Sequence, residues 1–124
     1  MMTRDEAREV LYATAHELMA RDRHRDALDA FRALMIVSPS DERGWVGAAL
    51  CHEHMQQEHT ALALLGACEP AGARGPRAAL AHARILRKLG RDVDASDCYD
   101  EALSRADDVD DAALANAIRF EAAS

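Results

Sequence analysis

The chain has 124 residues, 49% of them hydrophobic, 30% charged and 4% aromatic, a balance that suits one soluble domain and excludes a multidomain reading. Twenty-seven alanines against six glycines and three prolines favour helix by propensity and supply too little turn chemistry for a sandwich or a barrel. The net charge of −7 is concentrated in residues 91–124, with 10 acids and 3 bases against 12 of each in residues 1–90, which disfavours nucleic acid or an anionic membrane as a partner, and no apolar run approaches the roughly 20 residues that span a bilayer.

Taken in chain order, Thr3-Arg4-Asp5-Glu6 has the Thr-x-x-Glu form of a capping box and predicts a first helix from about Arg4, striped by Val10, Leu11, Thr14, Ala15 and Leu18. Arg21-Asp22-Arg23 reads as a turn, and Ala27, Ala30, Phe31 and Leu34 as the stripe of a second helix closed by Pro39. Ser40 is positioned to cap a third helix carrying Trp45, Ala48 and Ala49, and Ala61, Leu65 and Cys68 belong to a fourth. Pro70, Gly72, Gly75 and Pro76 make a loop, after which a fifth helix runs to Gly90 and a sixth carries Ala95, Tyr99 and Ala102. Asp107 and Asp108 can cap a last helix whose Val109, Ala113, Leu114, Ala117 and Ile118 would cover the end of the core, with acids on its other side.

The stripes recur. Ala27, Ala61 and Ala95 are 34 residues apart, as are Phe31, Leu65 and Tyr99, then Leu34, Cys68 and Ala102, and earlier Leu11, Trp45 and Ala79, and Ala15, Ala49 and Ala83. In a chain so rich in alanine the weight rests on the large residues, and on the prolines and glycines falling between helices. The expected architecture is all-α: a single domain over 1–124 made of three helical hairpins, about 8–41, 42–75 and 76–109, plus a capping helix at about 109–122, wound as a right-handed α-solenoid.

These residues resemble the tetratricopeptide repeat (TPR), in which a large residue, two small ones, an alanine, an aromatic and a proline recur at fixed offsets. Ala27, Phe31 and Pro39 follow that pattern in the first repeat, Trp45, Ala48, Ala49, Ala61 and Leu65 in the second, and Ala95, Tyr99 and Ala102 in the third; the small residue that is glycine in the pattern is Ala15, Ala49 and Ala83. More narrowly, Leu11-Tyr12-x-x-Ala15, Asp26-Ala27, Phe31-Arg32-Ala33-Leu34, Asp41-x-Arg43 and Pro76-Arg77 resemble the class II chaperones of type III secretion systems, the SycD/LcrH/IpgC type. That resemblance implies a three-repeat cytoplasmic protein that holds hydrophobic translocator subunits before export. It also implies no more than a weak homodimer, because only ten residues precede Leu11 where that family carries an additional helical stretch linked to dimerisation.

In such a stack the inner helix of each pair lines a concave face that takes an extended peptide. The register assigns to it Tyr12, His16 and Met19 from the first repeat, Val46, Leu50 and Glu53 from the second, and Leu80, Arg84 and Arg87 from the third. The face is apolar and turns basic at one end, since residues 74–91 contain five arginines and Lys88 with no acid. Met19 suits a surface that adapts to varied apolar segments, and His16 stands where the narrow family tends to have an aromatic. Charge alone also raises the docking of the acidic tail onto the basic third repeat as a self-inhibitor. The lysine and asparagine clamp with which some repeats of this type grip a partner's terminal carboxylate is missing: Tyr12, His16, Leu50, Arg77 and Ala81 occupy its positions.

Other chemistry is weakly indicated. Cys51-His52-Glu53-His54 suggests zinc, but the residue four after His52 is Gln56, and His52 and His54 point about 200° apart around a helix. With no phosphate loop or nucleophile elbow, the chain is expected to be neither an enzyme nor dependent on a cofactor or metal. Cys51, Cys68 and Cys98 read as free thiols. The function expected is a chaperone that binds an extended, partly apolar segment of a secreted translocator-like client, with no nucleic acid and no stable membrane association. The alternative is a TPR adaptor or scaffold, or a co-chaperone of a needle subunit, acting through folded contacts or self-assembly.

Overall fold

The Thr3 hydroxyl accepts the Glu6 N–H at 3.1 Å and approaches the Glu6 carboxylate at 3.0 Å, so the first helix begins where the capping box predicts. A computed structural model describes residues 1–124, and its regular structure is entirely helical: α1 (Arg4–Ala20), α2 (His24–Val37), α3 (Glu42–His54), α4 (Glu58–Ala67), α5 (Pro76–Lys88), α6 (Asp92–Asp108) and α7 (Ala112–Ala122). The chain divides into two compact units, Met1–Ala73 and Arg74–Ser124.

Four of the turns share one backbone device. Asp22, Gln56, Gly90 and Asp110 all have positive φ, between 57° and 76°, and the first three are 34 residues apart. At each, the N–H of the left-handed residue and that of its successor reach back to helix carbonyls. Asp22 bonds Met19 and Arg23 bonds Leu18; Gln56 bonds Glu53 and Gln57 bonds His52; Gly90 bonds Arg87 and Arg91 bonds Leu86. This is the Schellman closure, which satisfies carbonyls that a helix end leaves orphaned. The following residue, Arg23, Gln57 or Arg91, is the N-cap of the next helix, so one left-handed residue both ends one helix and aims the next.

In unit 1, α1 packs on α2, α2 on α3 and α3 on α4. Ala15, Ala27, Leu28, Phe31, Leu34, Ala48 and Cys51 form the buried cluster, with Leu11, Leu18, Met35 and Leu64 packed against it. Phe31 fits because Gly47 has no side chain: a Cβ there would overlap the Phe31 ring. Burying a ring of this size contributes about 1.5–3 kcal/mol, so Gly47 serves helix approach rather than turn geometry. Two long-range bonds close the ends of α2. Arg4 Nε donates to the Val37 carbonyl at 2.9 Å, and Trp45 Nε1 donates to the Pro39 carbonyl at 2.9 Å.

In unit 2, α5 packs on α6 and α6 on α7. The buried residues are mostly small, Ala78, Ala79, Ala83, Ala95, Ala102, Ala106 and Ala115, with Leu80, Ile85, Leu86, Tyr99 and Ile118 as the bulk.

Two expected caps are corrected. Asp41, not Ser40, caps α3, its carboxylate accepting the Arg43 N–H at 3.0 Å; an ionised acceptor suits a helix N-terminus better than a hydroxyl. Asp107 and Asp108 do not cap the last helix, because α6 runs through both and the left-handed turn falls at Asp110. The cap is Asp111, which accepts the Leu114 N–H at 3.0 Å. The shift moves α7 to Ala112–Ala122, so it buries Ala115 and Ile118 and half-buries Leu114, while Val109, Ala113 and Ala117 are exposed.

Gly47→Ala separates packing from propensity. In an open helix position alanine would gain about 1 kcal/mol, whereas overlap with Phe31 costs about 1–3 kcal/mol, so thermal unfolding of the variant is expected at lower temperature. Gln56→Gly is expected to act in the opposite direction. Relief of about 1–2 kcal/mol of left-handed strain exceeds the roughly 0.5–1 kcal/mol entropic cost of glycine, and denaturant titration should show a gain of about 0.5–1 kcal/mol.

Candidate protein-binding faces

In unit 1 the surface of the inner helices is organised by Arg43, in the first turn of α3. Its Nη2 lies 2.8 Å from Glu9 Oε1 on α1 and 2.8 Å from Asp41 Oδ2, and Nη1 lies 3.2 Å from Glu9 Oε2. Its guanidinium carbon stands 4.3 Å from the centre of the Tyr12 ring, a cation–π placement. The hydrogen bonds from Arg43 hold the Glu9 carboxyl below the usual range against a smaller opposing effect of desolvation. Burial alone would raise the Asp41 carboxyl, but the side-chain and backbone hydrogen bonds of Arg43 outweigh it and the net direction is down. The sequence marked Asp41-x-Arg43 as a family landmark without a role; the fold makes it the tie between α1 and α3.

Around that tie lie the positions assigned to binding. Tyr12 is half-buried, and its ring centre is 6.0 Å from that of the exposed His16. On α3, Val46 and Glu53 are half-buried and Leu50 is 42% exposed. Residues four apart share a helix face, so Val46 and Leu50 make a short apolar strip ending in the Glu53 side chain. Met19 is drawn inward instead, with its Sδ 3.4 Å from Cys51 Sγ and 3.5 Å from His24 Nδ1. Burial pushes the Cys51 thiol up to about 11, so that cysteine stays protonated at neutral pH. The neighbouring histidines diverge as their spacing requires. His52 is buried, with Nδ1 2.7 Å from Gln57 Oε1, and His54 stacks on His24 with ring centres 4.4 Å apart.

In unit 2, Leu80 is only 6% exposed and offers correspondingly little surface to a ligand. Arg84 and Arg87, one turn apart on α5, both meet the last turn of α7. The Glu121 carboxylate takes Arg84 Nη2 at 2.6 Å and Arg84 Nε at 2.9 and 3.1 Å, and accepts the Tyr99 hydroxyl at 2.8 Å. Arg87 donates from Nη1 to the Glu121 carbonyl at 3.0 Å and from Nη2 to the Ala122 carbonyl at 3.1 Å, as a cation does at a helix C-terminus. Its guanidinium carbon lies 4.4 Å from the centre of the Tyr99 ring.

The hydrogen bonds from Arg84 lead in holding the Glu121 carboxyl below its ordinary range, against desolvation. Burial, then the hydrogen bond to Glu121, raises the Tyr99 phenol. A carboxyl lowered by folding contributes stability above its unfolded value and loses it as the pH falls through the folded one, so this contact weakens on acidification. Glu121 was not among the expected binding residues. The acid-free stretch 74–91 followed by an acidic tail was its signal, but charge patterning could not choose among the ten acids of residues 91–124.

No protein-family model matches the chain, and no curated protein matches it. Solved structures do. PcrH from Pseudomonas aeruginosa is 22% identical with a TM-score of 0.81, covering 98% of this chain and 92% of that one, and a second structure shows PcrH in complex with the chaperone binding region of PopB. The type III secretion translocator chaperone SycD of Yersinia enterocolitica is 20% identical with a TM-score of 0.77, covering 98% of this chain and 84% of that one. The TPR2B domain of yeast Sti1, in a complex with pHsp70, is 17% identical with a TM-score of 0.81, covering 94% and 93%. The fold expected from the 34-residue recurrence is therefore the one found: an all-helical, TPR-like architecture shared with the translocator chaperones.

Proposed function

We propose that this chain is a cytoplasmic chaperone that holds an extended, partly apolar segment of a type III secretion translocator or similar export substrate on the inner-helix faces of its repeats, masking it until export. The observation that carries the proposal is Leu50, 42% exposed on α3 with Val46 one turn before it, next to a Tyr12 ring that Arg43 holds in place. An exposed leucine on the inner register of a TPR-like fold is a contact surface for an apolar side chain. Support also comes from the fold shared with SycD and with PcrH, the latter bound to a chaperone binding region of PopB.

In this reading Tyr12, His16, Met19, Val46, Leu50 and Glu53 form the apolar-leaning part of the binding surface, and Leu80, Arg84 and Arg87 the basic part. Each large apolar anchor that becomes fully desolvated contributes about 1.5–3 kcal/mol. Ordering an extended client offsets much of that, which leaves affinity near the micromolar range. The work is binding alone, with no catalytic step and no cofactor.

Leu50→Asp is the direct test, since an exposed position tolerates the change without loss of core. Tagged wild-type and variant chains are used for affinity capture from lysate of the source organism. A secreted substrate with hydrophobic segments is expected with the wild type and at least tenfold depleted with the variant, while the circular dichroism melts coincide. Equal recovery of one partner by both forms, or recovery of none, would refute the proposal.

A further inference from the structure

The basic stretch of unit 2 already holds a ligand of its own. Residues 74–91 carry five arginines and a lysine without an acid, and the carboxylate that meets them comes from α7. Glu121 uses both oxygens: Oε1 faces Arg84 Nη2 and Nε at 2.6 and 3.1 Å, and Oε2 faces Arg84 Nε at 2.9 Å and the Tyr99 hydroxyl at 2.8 Å. Guanidinium and phenol offer only donors here and a carboxylate only acceptors, so the constellation is specific for an ionised acid. Arg87, stacked on the Tyr99 ring, holds the backbone that carries that acid.

What secures the last turn of α7 is this polar contact rather than core burial. Ile118, at 1% exposure, is the last buried side chain of the helix, and Phe120 two residues on is 81% exposed. A cleft of about 350 Å³ opens beside the turn, with Tyr99 and Ser96 on the α6 side and Ala122 and Ser124 on the other. The Arg84 side chain in the pair is 57% exposed and that of Glu121 30%. Ion pairs this open to water are weak and exchange readily, and a turn with little apolar burial opens at low cost.

We infer that Arg84, Arg87 and Tyr99 form a carboxylate-binding site whose resident ligand is Glu121 and which takes, in its place, an acidic side chain of a bound client segment. The exchange replaces one carboxylate by another, so the arginines are never left unpaired, whereas a neutral side chain cannot displace Glu121. The site thereby selects extended segments in which an Asp or Glu follows the apolar anchors. This assignment rests on the client-binding reading above, and its test distinguishes the two.

The test uses the full chain and two labelled peptides of alternating leucine, serine and valine, one ending in two glutamates and its twin in two glutamines, read by fluorescence anisotropy at low and physiological salt. Wild type is expected to prefer the acidic peptide. Glu121→Gln, nearly isosteric at a partly exposed position, removes the resident competitor and should raise the ratio of acidic to neutral affinity roughly five- to tenfold, since apparent affinity scales with the fraction of open sites. Arg84→Gln should bring that ratio to within about twofold of unity, and added salt should shrink it. Thermal melts of both variants report whether each is folded. Equal binding of the two peptides by wild type and Glu121→Gln overturns the carboxylate site and leaves the client-binding reading standing. Absence of binding by either peptide to any form overturns both.

Discussion

A single left-handed residue at the end of a helix is the constraint on which the rest of this chain depends. Asp22, Gln56 and Gly90 take that conformation at intervals of 34 residues, and each returns the chain at the same angle onto the helix just completed. Because the return is the same, the same offset beyond each turn brings a small residue, Ala27, Ala61 or Ala95, into the buried interior. Two of the three positions bear an ordinary side chain and accept the strain, which places the Schellman hydrogen bonds, not glycine, as the agent that shapes the turn. Asp110 repeats the device once more, out of the 34-residue register, and α7 follows from it.

Close helix approach is the consequence. Alanines at the buried positions let backbones come near, and at Gly47 even a methyl group would be too large because the Phe31 ring occupies the space. Cores built this way have few large side chains, so charged groups at the helix surface carry a larger share of the specificity. Arg43 and Arg87 serve in the same manner in their respective units: each lies over a tyrosine ring, Tyr12 or Tyr99, and each bonds groups on a neighbouring segment. Arginine suits the task because its planar guanidinium stacks and donates in a fixed fork at once. The basic character of residues 74–91 is thus partly spent within unit 2, where Arg84 and Arg87 meet Glu121 and the carbonyls beside it. A binding surface made of such groups exchanges one partner for another, and that is the property a holder of transient clients requires.

Much of this was legible from residue order. The spacing of Phe31, Leu65 and Tyr99, the capping box at Thr3, the turn at Arg21-Asp22-Arg23 and the stop at Gly90 are local signals, each decided within a few residues of itself, and each stands where the sequence places it. The caps at Asp41 and Asp111 were misplaced by one and by three or four positions, because several acids and serines near a helix start are locally equivalent. Among the binding positions, Leu50, His16 and Arg84 are exposed while Leu80 is buried; register alone assigns a helix face but not how deeply a neighbour covers it.

The amino-acid sequence by itself determined the helices, their 34-residue recurrence and the apolar face of each, because propensity, periodicity and turn chemistry act over one or two helical turns. Only the tertiary structure decided which side chains meet across helices: Gly47 beneath Phe31, Met19 between Cys51 and His24, Arg43 on Tyr12, Glu9 and Asp41, and Glu121 on Arg84 and Tyr99. Those encounters join residues far apart in the chain, and their identity depends on interhelical distances of a few ångströms that no local pattern encodes.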